Sequence, residues 1–128
     1  LWTARPDGRD AAPLTTGPAD DREPVYTPDG RAVVFTTDRG GTLDIFRVDT
    51  GDGRVTPLVT GPADDYWPAV ATDGATVAFV SDRGGRPALW LQRPGGTSEA
   101  LTGAAAGRPA APAFSPDGAR LAFVAPVE

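Results

Sequence analysis

The chain has 128 residues, 12 basic and 17 acidic, for a formal net charge of −5, and contains neither cysteine nor histidine. An acid excess argues against docking on a phosphate backbone, which wants a basic stripe, and without Cys and His there are no disulfides, thiolate catalysis, Cys-based zinc sites or imidazole general bases. No apolar run approaches the roughly 20 residues of a bilayer span, while 40% apolar residues suffice for a core.

Every basic residue is Arg, and Lys, Asn and Met are absent. The chain opens at Leu1 without an initiator or a signal-like segment, so the expectation is a processed product, an engineered chain or a slice of something longer. Gly (16) and Pro (14) are abundant enough for disorder to compete. Here they recur at fixed intervals between short apolar runs, which favours ordered turns.

In chain order, strands are predicted at Leu1–Thr3 and Ala11–Thr15, then at Val25–Thr27, Ala32–Thr36, Asp44–Val48 and Val55–Val59. A second set follows at Ala69–Ala71, Thr76–Val80, Ala88–Gln92 and Glu99–Thr102, and a last pair at Ala113–Ser115 and Arg120–Val124. Each is bounded by turn residues. No segment carries a helical period of useful length.

These strands repeat. Asp29-Gly30, Asp73-Gly74 and Asp117-Gly118 are 44 residues apart, as are Pro24, Pro68 and Pro112, and Phe35, Phe79 and Phe123. Trp2, Phe46 and Trp90 hold the same step, and Asp38-Arg39-Gly40-Gly41 recurs as Asp82-Arg83-Gly84-Gly85. Thr16-Gly17-Pro18-Ala19-Asp20 recurs as Thr60-Gly61-Pro62-Ala63-Asp64 and has decayed by Gly103-Ala104-Ala105-Ala106. Within one period the strands can be lettered A to D, with A beginning at Val25. Strand B is apolar in unbroken runs, Val33-Val34-Phe35 and Val77-Ala78-Phe79-Val80, so it should be buried on both faces. An all-β fold of four-stranded antiparallel blades stacked between neighbours, with three 44-residue repeats, is the expectation of a β-propeller.

The third copy, Pro112-Ala113-Phe114-Ser115-Pro116-Asp117-Gly118-Ala119-Arg120-Leu121-Ala122-Phe123-Val124, resembles the PD40, or TolB-like, class of WD40-type propeller repeat. Tyr26-Thr27-Pro28-Asp29-Gly30 and Ser81-Asp82-Arg83-Gly84-Gly85 agree with it, while Ala71-Thr72-Asp73-Gly74 departs where the Pro is replaced. The resemblance covers essentially the whole chain. It implies a propeller of the kind found in periplasmic TolB relatives and in the gating propellers of prolyl-oligopeptidase-type hydrolases, and hence a periplasmic or extracellular location. Fold alone does not choose between those roles.

In this register the chain begins at strand C and ends after strand B. The division is residues 1–20 as strands C and D of a split blade, 21–64 and 65–107 as whole blades, and 108–128 as strands A and B. Three blades are too few to close a ring. If each open blade face hides roughly 400 Å² of apolar surface, its exposure costs on the order of 10 kcal/mol, and such patches are not left in water. The expectation is a head-to-tail homodimer forming a six-bladed ring, each end completing the partner's split blade; the alternative is a longer propeller that supplies the missing strands itself.

In a meander the D–A and B–C loops share one rim. That rim collects Asp20, Asp21, Arg22, Asp38 and Arg39, with Asp64, Asp65, Tyr66, Trp67, Asp82 and Arg83. The Asp20/Asp21 and Asp64/Asp65 pairs read either as a cation or basic-partner site or as turn caps; the absence of any calcium-loop spacing favours caps. Tyr66 and Trp67 stand where the preceding repeat has Arg22 and Glu23, and read equally as partner anchors or as packing over a blade edge. Arg39 and Arg83 are expected to pair with Asp in neighbouring blades, the Asp-Gly turns to be structural, and Trp2, Phe46 and Trp90 to fill the interblade core.

Catalysis is disfavoured. Ser81 and Ser115 fall in repeat motifs, no Gly-x-Ser-x-Gly elbow occurs and no phosphate-binding glycine loop is present. The expectation is a non-catalytic propeller scaffold for protein–protein interaction, without cofactor or metal. The alternatives are an accessory propeller of a prolyl-oligopeptidase-type hydrolase, a carbohydrate- or ion-binding propeller, or a self-assembling engineered propeller with no cellular ligand.

Overall fold

A computed structural model describes residues 1–101 and 107–126. Among them there is no helix; the twelve strands form four antiparallel sheets. The first sheet pairs β1 (Trp2–Thr3) with β2 (Ala12–Pro13). The second is a four-stranded meander of β3 (Asp21–Tyr26), β4 (Ala32–Thr37), β5 (Asp44–Asp49) and β6 (Val55–Val59). The third repeats it with β7 (Asp65–Val70), β8 (Val77–Ser81), β9 (Ala88–Gln92) and β10 (Ser98–Ala100). The last pairs β11 (Ala110–Phe114) with β12 (Leu121–Val124). The predicted end of the second strand D at Thr102 and the decayed loop at 103–106 lie outside the described residues.

The sheets stack face to face. Val34, Ile45 and Val59 of the second sheet and Val77 and Phe79 of the third form one buried cluster, with Val25, Leu58, Val70 and Trp90 around it. On the opposite face of β4, Val33 and Phe35 join Val48 in a second cluster against Leu1 and Leu14 of the first sheet region. The central strands β4 and β8 are therefore buried along their whole length. This is why their sequences do not alternate.

The first strand of each four-stranded sheet differs from expectation. β3 and β7 start four residues before the predicted strand A, so Asp21, Arg22, Asp65 and Tyr66 belong to strands and not to loops. The reason is a bulge. Register shifts between Arg22 and Val25 and between Tyr66 and Ala69, and the residue before each Pro turns left-handed: Glu23 at φ 57°, Trp67 at 51° and Ala111 at 50°. Proline cannot donate to the ladder, and the bulge absorbs that gap without ending the strand. β3 lies beside β7, and β7 beside β11.

The turns after these strands are built as expected. Gly30, Gly74 and Gly118 sit at φ 72°, 73° and 74°, a region that glycine enters without steric cost. The preceding Asp caps the turn, Asp29 Oδ1 accepting from Arg31 N–H and Asp73 Oδ1 from Ala75 and Thr76 N–H. One core expectation is corrected. Phe46 and Trp90 pack on the two clusters, but Trp2 is 71% exposed, because β1 has no sheet against its outer face among the described residues.

Candidate functional site

Folding brings the predicted rim residues together in two similar sets. In the second sheet, Asp20 N–H donates to Asp38 Oδ1 at 2.9 Å, and Arg39 Nη2 meets the Asp21 carboxylate at 3.0 Å. In the third, Asp64 N–H donates to Asp82 Oδ1 at 3.0 Å, and Arg83 Nη2 meets Asp65 Oδ1 at 2.9 Å. The D–A loop is thereby stitched to the B–C hairpin of its own sheet. Both arginines thus pair within their own blade, which corrects the expectation of partners in neighbouring blades. The register explains it: antiparallel pairing sets Asp21 opposite Thr37 and Asp65 opposite Ser81, two residues from each arginine.

Each arginine is also held flat. Arg39 stacks 5.4 Å from the Phe35 and Phe46 ring centres, and Arg83 lies 5.2 Å from Phe79 and 5.3 Å from Trp90. Its Nε donates to Thr37 Oγ1 or Ser81 Oγ, respectively. A guanidinium fixed between two rings, a hydroxyl and a carboxylate keeps few free donors, so both arginines serve the architecture. Burial pushes the Asp21 carboxyl up, but hydrogen bonds with Thr37 and Thr15 and the Arg39 guanidinium outweigh it and hold the group below its ordinary range.

The charged tips remain in water. Asp20 and Asp38 are exposed, and Arg22 reaches Asp20 only at 3.9 Å. A hollow of about 340 Å³ between them is lined by Thr16, Pro18, Ala19, Asp38 and Arg39. Among the described residues no group of three or more carboxylates is placed to hold a metal ion.

Tyr66 and Trp67 lie on β7, half-buried, with ring centres 5.6 Å apart and planes tilted by 50°. Burial raises the Tyr66 hydroxyl above its ordinary pKa, helped by the charges of Asp82, Asp64 and Glu23 and opposed by Arg108. The aromatic pair therefore stands in an acidic surround. Trp67 is tied to the preceding sheet: its N–H donates at 2.9 Å to Glu23 Oε1, which also accepts from Thr36 Oγ1 at 2.6 Å. Sequence reasoning passed over Glu23; the signal was its place before Pro24, in register with Trp67. It passed over Asp44 as well, which is 6% exposed and faces Asp65 across the junction between the two sheets.

No family model matches the chain. Over 41 residues it is 46% identical to the Tol-Pal system protein TolB of Bordetella pertussis, covering 30% of this chain and 9% of that protein, and the same holds for TolB of Bordetella parapertussis. In fold it is similar to the crystal structure of TolB from Acinetobacter baumannii, with a TM-score of 0.77, 28% identity and coverage of 94% of this chain and 30% of that one. It is also similar to the crystal structure of puromycin hydrolase, with a TM-score of 0.73, 28% identity and coverage of 95% of this chain and 20% of that one. The chain thus spans less than a third of the length of these relatives. In both sequence and fold, it resembles the β-propeller blades of TolB.

Proposed function

We propose that these blades form a non-catalytic propeller surface that binds protein partners through the rim bearing Asp20, Asp21, Arg22, Asp38, Arg39, Asp64, Asp65, Tyr66, Trp67, Asp82 and Arg83. The observation that carries this reading is the Tyr66–Trp67 pair, half-exposed on the first, locally strained strand of its sheet among acidic side chains. Within that rim the roles divide. Asp21, Asp65, Arg39 and Arg83 hold the scaffold, and Tyr66, Trp67 and the exposed acids meet the partner. The resemblance to TolB supports a periplasmic setting for such a surface.

Peptide display against the folded chain tests it, with selected peptides retested by calorimetry on Tyr66→Ala and Trp67→Ala. At least a tenfold loss on either variant is expected, the usual scale for a buried aromatic anchor. Selected peptides that bind both variants unchanged would overturn it. The similarity to puromycin hydrolase favours a second reading, an accessory propeller beside a hydrolase domain; a parent reading frame that encodes an α/β-hydrolase domain would establish it.

We also propose that the outer edges of β1 and β12 pair between two copies, so that the 1–20 and 108–128 segments complete one split blade in a six-bladed ring. What supports this is that β1–β2 and β11–β12 are two-stranded where their neighbours have four strands. Light scattering across a dilution series should return twice the 13.2 kDa chain mass. A folded monomer would overturn the pairing, as would a longer parent chain whose own strands fill both edges.

A further inference from the structure

The two junctions between consecutive blades are built from aligned residues, yet their chemistry is reversed. At the first, Leu43 N–H donates to Asp64 Oδ1 at 3.0 Å, Asp65 N–H donates to the Leu43 carbonyl at 2.8 Å, and Thr42 Oγ1 donates to the Gly61 carbonyl at 3.2 Å. These bonds lace the hairpin of one sheet to the entry loop of the next, and the side chains around the seam, Asp44, Asp64 and Asp65, are acidic.

Forty-four residues on, Thr42 is replaced by Arg86, Leu43 by Pro87, Asp44 by Ala88, Asp64 by Arg108 and Asp65 by Pro109. Both donating N–H groups are lost to proline, and the accepting carboxylate has become a guanidinium, so neither bond has a counterpart. In place of the laced seam is a notch of about 330 Å³ lined by Gly85, Arg86, Pro87, Gly107 and Arg108. Arg86 and Arg108 are both exposed, and among the described residues neither has a carboxylate within ion-pair distance. In a chain of net charge −5, two exposed guanidinia lining one open notch are suited to an anion.

We propose that the Arg86–Arg108 notch binds a side-chain carboxylate of an acidic segment on a partner protein. A guanidinium pairs with carboxylate or phosphate. A phosphate is ordinarily cradled by a nest of backbone N–H groups, and three backbone positions at this notch cannot contribute to one. Pro87 and Pro109 have no N–H, and that of Gly85 is taken by the Asp82 carbonyl at 2.8 Å. Planar side-chain guanidinia match the planar carboxylate. The proposal rests on the reading of this chain as a protein-binding propeller and names the chemistry of its partner; the Arg108 charge is felt by the Tyr66 hydroxyl.

The test is titration of the folded chain with N-acetyl triglutamate amide, with the triglutamine analogue and inorganic phosphate as parallel arms. The readouts are calorimetry and the side-chain Nε–H resonances of Arg86 and Arg108. Triglutamate should shift both resonances and weaken as salt rises, triglutamine and phosphate should leave them in place, and Arg86→Ala or Arg108→Ala should each cost about tenfold in affinity. A variant that restores the first junction's residues, Arg86→Thr with Pro87→Leu and Arg108→Asp, should abolish binding while keeping the β circular dichroism. Phosphate binding as tight as triglutamate, or triglutamate binding unchanged in both alanine variants, would overturn the proposal. If display-selected peptides bind through Tyr66 and Trp67 while triglutamate moves neither arginine, the notch falls and the rim reading stands. If triglutamate binds as described but no rim peptide is selected, the notch stands and the rim reading falls.

Discussion

The carboxylate of Asp65 is fully buried, and its Oδ1 lies 2.9 Å from Arg83 Nη2 while its Oδ2 takes no hydrogen bond among the described residues. A buried charge with one partner depends wholly on that partner. Arg83 in turn is clamped between Phe79 and Trp90. Removing the guanidinium in Arg83→Ala strands the carboxylate and should lower the unfolding free energy by about 3–5 kcal/mol. Urea unfolding followed by Trp fluorescence measures this. A loss within the ordinary surface range of about 0.5 kcal/mol would show that Asp65 is not a dependent buried charge.

Asp44 sets up the opposite case. Burial, then the charges of Asp65 and Asp64, raise its carboxyl above the ordinary value of 3.8, against the opposing influence of the nearby Gly61 backbone and Thr42 hydroxyl. A carboxyl whose folded pKa is raised favours folding in its protonated form. Its contribution is full below 3.8 and is lost as pH rises through the higher folded value. Asp44→Asn keeps the shape and removes the titration, so its stability advantage over the parent chain should grow across that window and then level off. Carboxylates that do not interact with Asp44 cancel in the difference, including Asp73, whose hydrogen bonds with Thr76 lower it and whose contribution fades in acid. Urea midpoints of the two proteins from pH 3 to 8 measure the difference; a pH-independent offset would exclude Asp44 as the titrating group.

Glu23 joins two sheets, accepting from Thr36 of its own sheet and from the Trp67 backbone of the next. Glu23→Ala leaves the half-buried Trp67 N–H and the hydroxyl of buried Thr36 unpaired and should cost about 1–3 kcal/mol. Glu23→Gln keeps an oxygen that can accept both bonds, so it should lose less. A double-mutant cycle with Thr36→Val should return a coupling of at least about 0.5 kcal/mol, and zero coupling would show that the bridge is decorative.

Much of this architecture is visible in the residues before folding. The unbroken apolar runs of β4 and β8 announce burial on both faces, and the Asp-Gly pairs fix the turns through local hydrogen bonds and glycine's reach into positive φ. What escapes is non-local. Pro24 and Pro68 read as strand starts because proline lacks a ladder donor, whereas a left-handed Glu23 or Trp67 lets the strand run through. Trp2 shares a register with Phe46 and Trp90, yet burial depends on a neighbouring sheet that its strand does not have among the described residues. Arg39 and Arg83 look like interblade bridges until the hairpin register sets them beside their own sheet's aspartates. The Arg86–Arg108 notch emerges only when residues one period apart are compared as partners across a seam.

The last turn offers a test of how the β11–β12 sheet is held. A methyl on Gly118 would stand 2.7 Å from Thr72 Oγ1, closer than real contacts allow, and Gly118 sits at φ 74°. Gly30 and Gly74 have nearly the same φ and nothing within 4 Å, so conformational strain is common to all three while the collision belongs to Gly118 alone. Gly30→Ala should therefore cost about 1 kcal/mol from backbone strain, and Gly118→Ala more. Thr72 occupies the place that Pro28 and Pro116 hold in the flanking copies; trimming it in Thr72→Ala removes the colliding hydroxyl. The double variant Gly118→Ala/Thr72→Ala should thus recover the excess over Gly30→Ala and leave only the strain. Thermal unfolding of the four proteins gives the comparison. Equal losses in Gly30→Ala and Gly118→Ala would show that the β11–β12 turn does not press on its neighbour in solution.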